Sequence, residues 1–190
     1  MNPLQNSTSI LLFWVLLVLH AQHADAQFKF DLIEVEYQEA FGSIGPDEFK
    51  DAIETQYGEF AVVGTYASSS GRKQEAQFRI LDENFALKSI RNIGSTGDDG
   101  ANAIVAFGDG YLVGGYTENV SEKGDKDSWL IFLDADTEVS WSKIISSERD
   151  DEITHVALNP NKQDQAIAIA SIENRPHAFV FTPGGDAFEK

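Results

Sequence analysis

Acidic residues carry the only spacing in this chain that suggests chemistry. Asp125 and Asp127 lie two apart, so do Asp134, Asp136 and Glu138, and Asp98-Asp99 forms a further group. Carboxylates at alternate positions suit a hard cation such as calcium, which binds through roughly six to eight oxygens. Asp134, Asp136 and Glu138 fill the first, third and fifth places of a calcium loop. Such a loop needs Gly at its sixth place and Glu at its twelfth, and the chain has Val139 and Ile145 there. A hairpin turn explains those three acids better, because Asp side chains bond the local backbone. Asp98, Asp99, Asp125 and Asp127 stand as the metal candidates.

Other chemistry is scarce. Asp136 and Trp141 have the spacing of a sialidase-type Asp-box, but Asp occupies 134 where Ser or Thr is needed, and Glu138 replaces the Gly. That box is a structural turn even when complete. His155 and His177 have no metal-ligand spacing, and there is no cysteine. No nucleophile elbow, dinucleotide fingerprint or phosphate loop is present. No catalytic residue and no cofactor is therefore assigned, with calcium the one ion the pattern allows. A distant carboxylate pair for glycoside hydrolysis keeps a glycan hydrolase as the alternative.

The elements that must position these acids follow from a repeat. Phe60–Ser68 (FAVVGTYAS) aligns with Tyr111–Asn119 (YLVGGYTEN), setting Gly64 on Gly115. Leu81-Asp82 aligns with Leu133-Asp134, and Asp47-Glu48, Asp98-Asp99 and Asp150-Asp151 recur at one place. That recurrence predicts a structural duty, such as capping loop amides. The middle copy predicts strands at 103–107, 111–117, 128–133 and 139–145, joined by Gly-rich or acidic turns. Repeats run over about 41–92, 93–144 and 145–190, preceded by an outer strand at 33–41 whose Glu34-Val35-Glu36-Tyr37 matches Glu138-Val139-Ser140-Trp141. Four short antiparallel strands per unit of about 50 residues predict a β-propeller blade. The fold class is all-β, a propeller-like array of about three four-stranded blades. In such a meander Asp125 and Asp127 emerge at the same end as Asp98 and Asp99.

Three blades are fewer than the four to eight that ordinarily close a ring. A piece of a longer protein is the preferred reading of this shortfall. Self-association to complete a ring, or an open stack, are the others. Trp129, Trp141 and Phe78 are expected to pack between blades rather than bind sugar.

Composition bounds the partners. The 190 residues carry a formal charge of −17 and are 42% apolar, with 13 Phe, 5 Tyr and 3 Trp. That aromatic content favours strands. Without a basic cluster, the chain is not expected to bind nucleic acid. Ile10–Leu19 is an apolar run too short to span a bilayer, and Ala24-Asp25-Ala26 supplies a small-x-small cleavage site. Residues 1–26 thus read as a signal peptide and 27–190 as the repeat domain. No membrane span is expected after cleavage, and the expected address is secreted, extracellular or cell-surface. Asn119-Val120-Ser121 is a glycosylation sequon.

Taken together, Gly108–Thr117 (GDGYLVGGYT), Asp125, Asp127–Asp134 (DSWLIFLD) and Val139–Lys143 (VSWSK) resemble the extracellular propeller-like repeats of many secreted and surface proteins. There the pattern reads DGGYVVAGYT, then GDxDAWLVKLDANGNVLWQK. The resemblance spans 33–190 and implies a propeller-like fold, secretion and no assigned catalysis. The expected role is a secreted, non-enzymatic module binding an extracellular protein or glycan. A calcium-binding surface protein is a further alternative.

Overall fold

In a computed structural model the described residues are 45–68, 73–118, 124–185 and 187–189. By compactness the chain divides into two units, 1–40 and 41–190, and every described residue falls in the second. The signal segment, the expected strand 33–41 and Asn119 lie outside the described residues.

Twelve strands form three antiparallel four-stranded sheets in simple meander order. Sheet one contains β1 (Glu48–Glu54), β2 (Phe60–Ala67), β3 (Gln74–Leu81) and β4 (Leu87–Ile93). Sheet two contains β5 (Asp99–Phe107), β6 (Gly110–Thr117), β7 (Asp127–Leu133) and β8 (Val139–Ile145). Sheet three contains β9 (Glu152–Asn159), β10 (Lys162–Ile172), β11 (Arg175–Phe181) and the short β12 (Ala187–Glu189). The described residues contain no helix. The result is an open propeller-like array, with blade two between the other two.

Alternation along the strands builds two cores. Ala61, Val63 and Phe78 of blade one meet Ile104, Val113, Trp129 and Ile131 of blade two. The opposite face of blade two, with Leu112, Leu130 and Phe132, meets Ile153, Ala168, Phe179 and Phe181 of blade three. Phe78 and Trp129 are thus core residues. Trp141 stacks on Phe132 with ring centroids 5.6 Å apart and donates its Nε1–H to the carbonyl of Pro183 at 2.7 Å, tying blade two to blade three.

The acidic turns are local devices. Asp134 Oδ1 accepts the N–H groups of Asp136 and Glu138, each at 3.0 Å, and Asp82 Oδ1 accepts those of Asn84 and Ala86 at 2.8 and 2.9 Å. Each turn brings one residue into the left-handed region, Thr137 at φ 63° and Phe85 at φ 64°. The side-chain oxygen stabilises a hairpin that has no glycine to relax it.

The matched glycines have a different cause. Each first strand carries a bulge against its neighbour, between Phe49 and Asp51 in β1 and between Ala101 and Ala103 in β5. The bulge pushes a carbonyl into the space of a side chain. A Cβ on Gly64 would sit 1.9 Å from Glu48 O, and one on Gly115 would sit 1.9 Å from Gly100 O. Only glycine fits there. In β9 the bulge falls between Ile153 and His155, and Ala170 takes the glycine's place.

Candidate functional site

An aspartate one or two residues before each first strand caps a backbone amide. Asp47 Oδ1 accepts Ala67 N–H at 2.7 Å within blade one. Asp98 Oδ1 accepts Gln74 N–H at 2.8 Å, and Asp150 Oδ1 accepts Lys126 N–H at 3.1 Å, each reaching back to the third strand of the preceding blade. Asp99 is fully buried, and its carboxylate accepts the N–H of Ser95 at 2.5 Å and the Ser95 hydroxyl at 3.1 Å. Asp98 and Asp99 are therefore joint-forming groups whose oxygens are engaged by the protein.

Asp127 shares a register row with Asp99. Asp99 pairs with Thr117 and Thr117 with Asp127, so all three project from one face of blade two. Asp127 is fully buried, yet among the described residues neither carboxylate oxygen has a hydrogen-bond partner, and Asp125 Oδ1 is likewise buried and unpartnered there. Among the described residues, no group of three or more His, Asp or Glu side chains is arranged to hold a metal. The four acids thus lie at one end of the array, as their spacing implies, without forming a four-carboxylate centre.

The same end holds a cavity of about 360 Å³ that draws on all three blades. Asp47 and Lys50 come from blade one, Asn102, Tyr116 and Lys126 from blade two, and Glu152 from blade three. Lys50 and Asn102 are the extra residues of the two bulges, and a bulge re-aims its side chain. The lining is ordered by its own contacts. Tyr116 Oη donates to Gln74 Oε1 at 3.3 Å, Lys126 Nζ lies 3.9 Å from the Tyr116 ring centroid, and Asn102 Nδ2 donates to Glu152 Oε2 at 3.1 Å. Burial raises the Tyr116 pKa above the ordinary tyrosine value, so the phenol is neutral and able to donate near neutrality. Such a cavity offers donors, acceptors and both signs of charge, with Lys126 lying over the Tyr116 ring. That suits a small polar group rather than an apolar one.

Sequence reasoning did not single out Lys50, Asn102 or Tyr116. Their indirect signal was the Gly64 and Gly115 match, since a glycine that must admit a carbonyl marks the bulge opposite. The second cavity, about 650 Å³, lies at the other end of the strands and is lined by Tyr57, Tyr111, Leu158 and Pro183 among others. His155 is exposed on β9, and His177 stacks on Phe179 with centroids 6.2 Å apart. They belong to no common site.

No family model matches the chain, and no curated protein matches it.

Proposed function

We propose that this chain is a secreted, non-enzymatic binding or scaffolding module that takes a small hydroxyl-rich group of an extracellular glycan or glycoprotein between its blades. The observation that carries this reading is the polar cavity lined by Asp47, Lys50, Asn102, Tyr116, Lys126 and Glu152. It exists only where three blades meet, so binding there depends on the stack rather than on one hairpin. Its volume of about 360 Å³ falls at the lower end of ligand sites, which run from roughly 300 to 1,000 Å³. The amide of Asn102, the ammonium groups of Lys50 and Lys126 and the carboxylates of Asp47 and Glu152 suit the hydroxyls of a sugar. The apolar run Ile10–Leu19 with Ala24-Asp25-Ala26 supports secretion, and the sequon Asn119-Val120-Ser121 supports glycosylation.

The test is an array of glycans and glycopeptides probed with the full secreted chain. The reading expects a ligand whose binding falls at least tenfold in Asn102→Ala and Lys126→Ala chains that keep their melting temperature. Binding that persists unchanged in both variants removes the cavity from the proposal. Turnover of chromogenic glycosides, abolished by Asp47→Asn or Glu152→Gln, replaces the binding module with a hydrolase.

A further inference from the structure

The leading ends of the three third strands differ in one respect that bears on ligands. In blade one, Lys73 and Glu75 stand two apart, and Lys73 Nζ pairs with Glu75 Oε1 at 3.3 Å. One repeat step of 52 residues brings Lys73 to Asp125 and Glu75 to Asp127. In blade three the matching strand begins at Arg175 and is preceded by Glu173. Blades one and three therefore carry one base and one acid at this place, and blade two carries two acids.

The consequence is visible in the contacts. Glu75 has its own chain's ammonium beside it. Asp127 is more deeply buried, with no exposed surface, and both its oxygens lack any partner; Asp125 Oδ1 is buried and unpartnered as well. Asp98 is engaged by Gln74, Asp99 by Ser95, and Asp151 by Glu173 on one oxygen only. A buried carboxylate without a donor or counter-charge is costly, and the half-buried Asp125 two residues away adds a second negative charge. The position where blade one keeps an ammonium is the position where blade two lacks a positive charge.

We propose that Asp125 and Asp127 hold a hard divalent cation of the calcium class at the leading end of β7. This inference is independent of what the polar cavity binds. Oxygen-only ligands and no histidine or cysteine point to calcium or magnesium rather than zinc. An irregular strand end fits the flexible calcium shell better than the strict octahedron of magnesium. Two carboxylates supply part of the shell, with water and backbone oxygen completing it. So sparse a charge set belongs with extracellular calcium modules, whose dissociation constants lie at about 10⁻⁴–10⁻³ M.

The test uses the full secreted chain. Its melting temperature is followed as calcium is raised to millimolar levels, with magnesium and sodium at matched ionic strength as controls. Calcium is expected to raise it by several degrees, saturably, and beyond either control. Asp127→Asn and Asp125→Lys are each expected to abolish the calcium response. Asp125→Lys, which restores the blade-one arrangement, should also melt higher than the parent chain in chelator. A readout that needs no variant is terbium luminescence excited through Trp129, two residues along the same face of β7. Emission that calcium displaces supports the site. No calcium shift with no sensitised emission overturns the proposal, and so does a shift equal to that from sodium or one that survives Asp127→Asn.

Discussion

The joint between blades one and two and the joint between blades two and three are built from the same repeat, but they are not equally satisfied. Both use an Asp to cap the third strand of the preceding blade, Asp98 on Gln74 and Asp150 on Lys126. The next residue differs in outcome. Asp99 receives three contacts from Ser95. Asp151, as deeply buried, receives Glu173 N–H at 2.9 Å on one oxygen, and its other oxygen has no partner. Ser128 Oγ, also fully buried, has none either. The linkers differ in one side chain. Gly97 lets the first linker lie against Glu118, where a Cβ would come within 2.8 Å of Glu118 Cβ. The matching place in the second linker is Arg149, which bonds its own N–H to Ser147 Oγ at 3.2 Å. Gly97 N–H makes the matching contact with Ser95 Oγ at 3.3 Å, and Ser95 also engages Asp99, whereas Asp151 takes its donor from Glu173.

The largest expected break in this comparison is steric. Gly115→Ala forces a Cβ onto the Gly100 carbonyl and is expected to cost about 3 kcal/mol or more, since the bulge must be rebuilt. Ala170→Gly, at the matching place in blade three, should cost about 1–2 kcal/mol, from backbone entropy and the lost burial of one methyl group. Denaturant melts of the two variants measure the difference. Asp99→Ala leaves the Ser95 amide without its acceptor and is expected to cost about 2 kcal/mol in the same assay. Asp151→Asn should act in the opposite direction. It keeps the acceptor for Glu173 and removes a buried charge, for a gain of up to about 1 kcal/mol. Equal losses in Asp99→Ala and Asp151→Asn would erase the distinction between the joints.

The smallest effect concerns pH. Tyr116 belongs to the first joint, where it bonds Gln74 across the blades, and Ser171 is its counterpart in the second. Burial raises the Tyr116 pKa above the ordinary value of 10.0. Its contribution is therefore complete below the unfolded tyrosine pKa and is lost as pH rises through the folded one. Tyr116→Phe should flatten the alkaline arm of the melting temperature above about pH 10, with little effect at pH 7 beyond one lost hydrogen bond. An unchanged alkaline arm would assign that titration to Tyr111, whose pKa burial also raises.

Strands and turns were legible because they are local. Alternation in Tyr111–Thr117 and Ser128–Leu133 marked β6 and β7, and the acids at 134–138 read correctly as a hairpin. The middle copy's first strand is longer than its apolar core, starting at Asp99 rather than Ala103, because Asp99 is buried through Ser95. Alternation counts an aspartate as polar and stops there. The candidate acids were legible as a group at one end. Their division into engaged Asp98 and Asp99 and unpartnered Asp127 was not, because it depends on Gln74 of the neighbouring blade and on how the linker folds Ser95 back onto Asp99.

By itself the sequence determined an all-β chain of repeated four-stranded units, the position of its turns and the end at which its acids gather. These follow from periods of two and of about 50 residues, which are read along the chain. Tertiary structure alone decided which glycines face a bulged carbonyl, that Lys50, Asn102 and Glu152 line one cavity, and that Asp127 is buried without a counter-charge. Those outcomes depend on atoms brought together from different blades, and hydrogen bonding and desolvation depend on distance in space rather than along the chain.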